Sequence, residues 1–415
     1  MTPPLERPLP PLTSRVSLLY GSLYLHFGFL AFLPLWLSSR GMSPKAIGIL
    51  VALPLILRIL TVAPVAGAAG RTGRVRLVML CATLVSAVLI ALLGAASGTV
   101  AVVLVVLLFA LAWDQLPVLA DAYAVMAVRQ QSLDFGRMRV WGSIAVIASS
   151  LLGGWVIGKA HISALPLMVA GLLLLPAMVI YLLLPPDRLL IAAAHEDDEA
   201  GGRADWRQLI GNRPLMAGML TVSLVVGSAG IFSSFSVIQW TAAGISASMI
   251  GMLNATAVVS EIAFFWFGAQ LLGGRDPRWM LVAAALASAL RWVLMATSPA
   301  LPVLVFAQLL QGVGATGAIL GMMMLISQRT SLRLTPAAQG MNAVLIGVIL
   351  AGITAVSGFI WTWGPAPAYL AMTAVALVSL APLALLRDAP NTTVTPGQGA
   401  PFIPPSPSPE QDAAT

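Results

Sequence analysis

Residues 41–50 read GMSPKAIGIL and residues 244–253 read GISASMIGML, so Gly, Ser, Ile, Gly and Leu coincide at five of ten places with an offset of 203. The second copy opens an eighteen-residue run, GISASMIGMLNATAVVSE (residues 244–261), whose only charge is the carboxylate of Glu261. Phe264, Phe265, Trp266 and Phe267 follow, so this ionisable group lies inside a long apolar stretch. Extended by seventeen residues, the same alignment pairs Glu261 with Arg58. One copy places an anion where the other places a cation.

The composition supplies the setting for such a repeat. Of 415 residues, 59% are hydrophobic and 9% charged, against about a quarter charged in soluble domains. Apolar runs of the length that crosses a bilayer, about twenty residues, recur near 16–38, 45–69, 76–94, 100–128, 138–158, 164–184, 214–240, 247–271, 279–297, 301–327, 337–362 and 366–386. Runs this continuous do not alternate with period two, which excludes barrel strands. The expected fold is therefore an all-α membrane protein with twelve transmembrane helices in two six-helix pseudo-symmetric halves. Repeats of six spans keep the same orientation, so the halves would be related by an axis along the membrane normal, with a site expected near mid-depth between them.

The domain plan follows: a leader at 1–15, a first half at 16–184, a polar linker at 185–213, a second half at 214–386, and a proline-containing tail at 387–415 with too little apolar surface to fold. The linker contains His195, Glu196, Asp197 and Asp198, read as a solvated charge run rather than a metal cluster. The net charge of +7 reports topology, not nucleic acid. With the N-terminus inside, seventeen Arg fall on inner segments, whereas Arg40, Lys45 and Lys159 fall outside. That bias places both termini in the cytoplasm, with the bacterial inner membrane as the expected location. The first apolar run is long enough to span, so no cleavable signal peptide is expected. The single Cys81 forms no disulfide within the chain.

Several stretches resemble the major facilitator superfamily, and within it the 3-phenylpropionate/proton symporter group. These are LSSRGMSPKAIGILVALPLILRIL after the first span, LADAYAVMAVRQQSLDFGRMRVWGSIAVIASSLLGG across the fourth and fifth, VVSEIAFFWFG in the eighth and ALRWVLMA in the ninth. DFGRMRVWGS is the most specific of them. Two departures stand out: Gly70 precedes Arg71 where the superfamily commonly has Asp, and Gln311, Ile319 and Met324 stand at places where polar or basic residues are usual.

The resemblance implies a secondary transporter working by alternating access, with proton-coupled uptake of a small organic solute that is aromatic acid-like or nucleoside/sugar-like. A proton-driven exporter of the same fold is the alternative. A receptor or intramembrane enzyme is a third reading, but no folded extramembrane domain and no nucleophile–base or metal constellation is found. No phosphate-cradling, HExxH, CxxC or GxSxG motif occurs, so no cofactor is expected. The expected partners are the solute, protons and the lipid bilayer, around a monomer.

Charges buried in hydrocarbon cost about 2.5–3.5 kcal/mol each on insertion scales and so mark functional or bracing positions. Arg58, Asp121, Glu261 and Arg291 form the expected charge network, with Glu261 meeting Arg291 and Arg58 meeting Asp121 or Asp114. Asp114 is read as a substrate contact. By the resemblance, spans 1, 4, 7 and 10 line the cavity, which adds His26, Tyr24, Trp113, Gln115, Gln239, Gln308 and Gln311 to the substrate-binding candidates. Gly312, Gly314, Gly317 and Gly321 make the tenth span smooth on one side, either for close packing or for a bend.

Overall fold

The computed structural model describes residues 11–131, 134–187, 206–272, 276–331 and 334–384. The expected leader up to residue 10, most of the linker and the 387–415 tail lie outside the described residues. Among the described residues, twelve helices are long and apolar enough to cross a membrane: α1 Leu12–Ser39, α2 Pro44–Ala69, α3 Val75–Ala95, α4 Thr99–Val128, α5 Phe135–Lys159, α6 Ile162–Leu182, α7 Arg213–Ala242, α8 Ala247–Gly268, α9 Pro277–Thr297, α10 Leu301–Arg329, α11 Thr335–Trp361 and α12 Pro365–Ala384. Their ends fall within four residues of the expected spans.

Each coincident residue of the 41–50 and 244–253 repeat has a structural task. Gly41 and Gly244 adopt φ of 76° and 80°, the left-handed geometry that ends a helix and that glycine accepts without steric cost. In both copies the next residue's N–H reaches back five residues: Met42 to the Leu37 carbonyl at 3.3 Å, and Ile245 to the Trp240 carbonyl at 2.9 Å. Ser43 and Ser246 then cap the following helices, their hydroxyls accepting from the N–H of Ala46 at 3.3 Å and of Met249 at 3.4 Å. Ile47, Ile250, Leu50 and Leu253 are buried.

The second shared glycine brings the halves together. A Cβ added to Gly48 would stand 2.7 Å from the Gly358 nitrogen on α11, and one on Gly251 would meet the backbone of Ser150 and Gly154 on α5. The main seams between the halves are thus α2 against α11 and α5 against α8. Small residues let the backbones touch, which gives van der Waals contact where lipid offers no hydrophobic driving force. These approaches lie in the half of the membrane away from the arginine-rich ends.

Helices α1, α4, α7 and α10 each lose regularity near the middle. α1 is divided into Leu12–Tyr24, Phe27–Leu30 and Leu33–Ser39, and α4 into Thr99–Trp113 and Leu116–Gln131. Pro34 and Pro117 explain the second break of α1 and the break of α4, because each removes an N–H and crowds the carbonyl four residues earlier. α7 breaks at Ser228, whose hydroxyl accepts the Trp292 indole N–H at 2.8 Å and donates to the Val225 carbonyl at 2.6 Å. α10 contains a π-helical turn, Gly312–Thr316.

At the arginine-rich end, Arg76 closes α6 by donating to the carbonyls of Ile180 (3.0 Å) and Tyr181 (2.8 Å), while its own N–H is accepted by Asp187 at 3.1 Å. Burial pushes the Asp187 carboxyl above its ordinary range, and the Arg76 N–H pulls the other way.

Gly48→Leu is expected to prevent closure of the α2–α11 seam. Overpacking against backbone costs about 1–3 kcal/mol, so labelling of Val51→Cys by an impermeant maleimide, in a Cys81→Ser background, should rise about tenfold or more from the side away from the arginine-rich ends. An unchanged rate would mean that the seam does not depend on this approach.

Candidate functional site

The half-buried acid Glu261 and the buried cation Arg291 lie close together, but they do not form the direct pair expected from sequence. Gln311, at the end of the first half of α10, stands between them. Its amide nitrogen donates to a Glu261 oxygen at 2.9 Å, and its carbonyl oxygen accepts from Arg291. A second Arg291 nitrogen donates to the Gln308 carbonyl oxygen at 3.1 Å. Arg291 is 2% exposed, and its guanidinium lies 4.4 Å from the Phe232 ring centre and 4.5 Å from that of Trp292. Two aromatic faces and two amide oxygens thus hold a cation out of water with no carboxylate in contact. Its Nε and the Gln308 nitrogen have no partner among the described residues.

The π-helical turn of α10 starts directly after Gln311. Ser260, beside Glu261 on α8, accepts from the Gly312 N–H at 2.9 Å and donates to the Leu309 carbonyl at 2.5 Å. It satisfies backbone groups at the turn, where the regular ladder is interrupted. A Cβ on Gly312 would collide with Ser260 and one on Gly314 with the Ser288 hydroxyl, so the glycines serve close packing around an irregular turn. Ser260 was not legible as a site residue, since a serine in a long apolar run carries no distinctive signal.

A cavity of about 230 Å³ adjoins this chain, lined by Arg291, Gln311, Phe232, Trp292, Ser233 and Ser288 from the second half and by Val51 and Leu55 of α2 from the first. Arg58 lies three residues beyond Leu55 and seven beyond Val51, on the same helix face. It is exposed although it sits within a span. Its guanidinium forms neither a hydrogen bond nor an ion pair with the described residues, while its charge acts on Tyr24 and Asp114.

Asp121 meets a different partner from the one expected. Arg139 of α5, counted from sequence among the inner-surface cations, pairs with it at 3.4 Å, and the Tyr20 hydroxyl donates to it at 2.7 Å. Arg139 also donates to the Tyr24 hydroxyl at 2.9 Å and lies 5.2 and 4.7 Å from the Tyr20 and Tyr24 ring centres. The side chains of Arg139 and Asp121 are 35% and 41% exposed, so this cluster borders water within the span. The Arg139 signal lay in the DFGRMRVWGS stretch.

Asp114 and Gln115 occupy the break of α4. One Asp114 oxygen and the Gln115 oxygen are buried without partners among the described residues, and the Gln115 nitrogen donates to Thr61 of α2 at 2.9 Å. His26, at the first break of α1, is fully buried. Its ring stands edge-on to Trp113 at 4.0 Å and lies 5.0 Å from Phe27. Neither of its nitrogens reaches hydrogen-bond geometry, although the Leu23 backbone lies close. Tyr24 stacks on Phe27 at 5.1 Å. The structure therefore brings His26, Tyr24 and Trp113 into one aromatic wall next to Asp114.

Gln239 stands apart from the central group. It lies near the far end of α7, donating to the Met295 carbonyl at 3.4 Å, and lines a mouth of about 420 Å³ with Ser298, Pro299, Trp361 and Pro365.

The family described as MFS_1 like family matches residues 16–371. The chain is 29% identical over 373 residues to a probable 3-phenylpropionic acid transporter of Escherichia coli (strain K12), covering 89% of this chain and 96% of that one. Among solved structures, the nucleoside transporter NupG superposes with a TM-score of 0.78 at 18% identity, covering 91% of this chain and 99% of that one. A bacterial homolog of the human lysosomal transporter Spinster, inward-facing and unoccupied, gives 0.66 at 13% identity, covering 90% and 94%. At these identities the two structural likenesses speak to the fold alone.

Removing the bridging amide separates this arrangement from a set of independent bonds. Gln311→Leu strands a buried guanidinium and a half-buried carboxylate, whereas Gln239→Leu removes one long hydrogen bond, so thermal unfolding in detergent should show Gln311→Leu less stable by about 1–3 kcal/mol. Equal losses would contradict the bridge.

Proposed function

The chain belongs to the MFS_1 like family, and from that premise we propose that this membrane transporter takes up a small organic acid together with protons. The observation that carries the reading is the Glu261–Gln311–Arg291 chain beside a cavity shared by both halves. A carboxylate in a low-dielectric site is poised between two effects, burial favouring the neutral acid and a nearby guanidinium favouring the anion. A change in access or in the occupant of the cavity tips that balance, which is what coupling requires. Arg291 reaches Glu261 through one amide, so displacement of Gln311 by solute would alter the carboxylate's surroundings without moving a helix far.

Solute charge follows from what is left unpaired. Arg58, on the α2 face that presents Val51 and Leu55 to the cavity, has no acid in contact among the described residues, and among them Arg291 is held by neutral amides and rings. Two cations on opposite halves favour an anion that bridges them. The aromatic wall of Tyr24, Phe27 and Trp113 and the Phe232 and Trp292 faces favour an aromatic or strongly apolar body over a sugar. The likeness to a 3-phenylpropionic acid transporter supports the same class. Asp114, with a buried oxygen unpartnered among the described residues, and His26 beside Trp113 act as selectivity contacts, and Asp121, tied to Arg139, serves the opening toward the arginine-rich side.

The seams between the halves close on the side away from the arginine-rich ends, while Arg58, Asp121 and Arg139 remain accessible. With the arginine-rich ends in the cytoplasm, this is an inward-facing arrangement. A protonated Glu261 and a bound anion would reset the carrier together, giving net uptake down the proton gradient.

The test is accumulation of labelled aromatic acids, sugars and nucleosides by proteoliposomes under an imposed proton gradient. The expected result is gradient-driven uptake of an aromatic acid, abolished in Glu261→Gln while exchange of solute across the membrane persists. Gradient-driven accumulation by that variant at the wild-type rate would remove Glu261 from coupling. Accumulation only when the gradient is reversed would assign export.

A further inference from the structure

A cavity of about 1020 Å³ lies outside the central pathway, on the outer face of α1 between α5 and α6. Its floor consists of small side chains on one face of α1, with Ser14, Ser17 and Gly21 leading to Leu25. A Cβ built on Gly21 meets nothing within 4 Å, so the space above it is open. The walls are apolar, with Ile144 and Ala145 of α5 facing Leu175 and Met178 of α6. The opposite face of α1, with Val16, Leu19, Tyr20 and Leu23, is buried in the first half, so this groove opens sideways and does not communicate with the solute site through α1.

Its polarity is graded. Thr13, Ser14, Asp134 and Arg137 stand at the arginine-rich end, and Leu25, where α1 first breaks, closes the other. From Thr13 to Leu25 the groove runs about 18 Å at 1.5 Å per residue. One leaflet supplies about 15 Å of the roughly 30 Å hydrocarbon core. A groove that begins at a charged rim and ends at mid-depth has the dimensions of a lipid chain in one leaflet, not of a helix spanning both.

The rim selects the headgroup. Arg137 is exposed, and its guanidinium has no partner among the described residues. Asp134 is engaged otherwise, capping α5 by accepting from the Arg137 N–H at 3.1 Å. A guanidinium without a partner among the described residues, beside the hydroxyl side chains of Thr13 and Ser14, matches a phosphate that can take two parallel N–H donors. We propose that this groove is a binding site for an anionic diacyl phospholipid of the leaflet at the arginine-rich side, with acyl chain over Gly21 and phosphate at Arg137. The site is independent of which solute the protein carries.

Native mass spectrometry of the full chain, delipidated in detergent and then offered phosphatidylglycerol or phosphatidylcholine of identical chains, tests the assignment. One phosphatidylglycerol should be retained at least about fivefold more than phosphatidylcholine, because the choline ammonium offsets the phosphate charge facing Arg137 and an uncharged glycerol does not. Arg137→Ala should remove the headgroup preference, and Gly21→Leu, which fills open space without a clash, should lower retention of both lipids. Arg278→Ala, a cation at the same membrane level on α9, should leave retention unchanged. Equal retention of the two lipids, wild-type retention in Gly21→Leu, or displacement of the lipid by millimolar inorganic phosphate would overturn the proposal.

Discussion

An ion within a bilayer has to be paired, hydrogen-bonded or wetted, and that one constraint organises the interior of this protein. Arg291 satisfies it with amides and aromatic faces, in drier surroundings than Arg58, Asp114, Asp121 or Glu261. Glu261 satisfies it through Gln311, the same amide that holds Arg291. Arg58 and Asp121 satisfy it by bordering water, Asp121 with help from Arg139 and Tyr20. Asp114 is the least satisfied, with one buried oxygen unpartnered at the break of α4. The dry, neutral-ligated cation on one half and the wet, unpaired cation on the other give the central space an asymmetry that matched charges would lack.

The twelve spans could be read from sequence because length and hydropathy decide them, and the repeat could be read because its residues perform the same tasks twice. Gly41 and Gly244 end helices in left-handed geometry, Ser43 and Ser246 begin the next ones, and Gly48 and Gly251 let the halves touch. Each of those tasks demands a particular residue type, so the chemistry shows through the letters. The partners of the charges were less legible. Spacing placed Glu261 near Arg291 but could not show an amide between them, because three helices meet there and only their rotations decide which side chain intervenes. Arg139 was counted with the surface cations for a similar reason. A residue one turn inside a span looks the same in sequence whether it points to headgroups or back toward Asp121.

Gln239 lies away from the other candidates for a different reason. Membership of a cavity-lining helix suggested a solute contact, but depth along α7 places it at the far mouth, where it ties α7 to α9. The irregularities of α1, α4, α7 and α10 tell a more consistent story. Two of the breaks have proline causes, one has a serine that trades helix bonding for Trp292, and one is a π-helical turn held by Ser260. These four, with the first break of α1, interrupt the helices that surround the central space, where backbone polar groups can face a cavity instead of lipid. The long seams α2–α11 and α5–α8 are regular by comparison and carry the contact between halves. Rigid seams outside and irregular helices inside divide the work between holding the halves together and shaping what passes between them.

The central claim is that Glu261 senses solute through Gln311 and Arg291. Its most direct test is solute affinity in detergent as a function of pH, above about pH 5.5 where a carboxylic acid solute is already ionised. If proton and anion bind cooperatively, linkage requires affinity to fall as pH rises through the ionisation of Glu261. Glu261→Gln, fixed in the uncharged form, should then bind with an affinity that no longer depends on pH. The same pH dependence in wild type and variant would contradict the account.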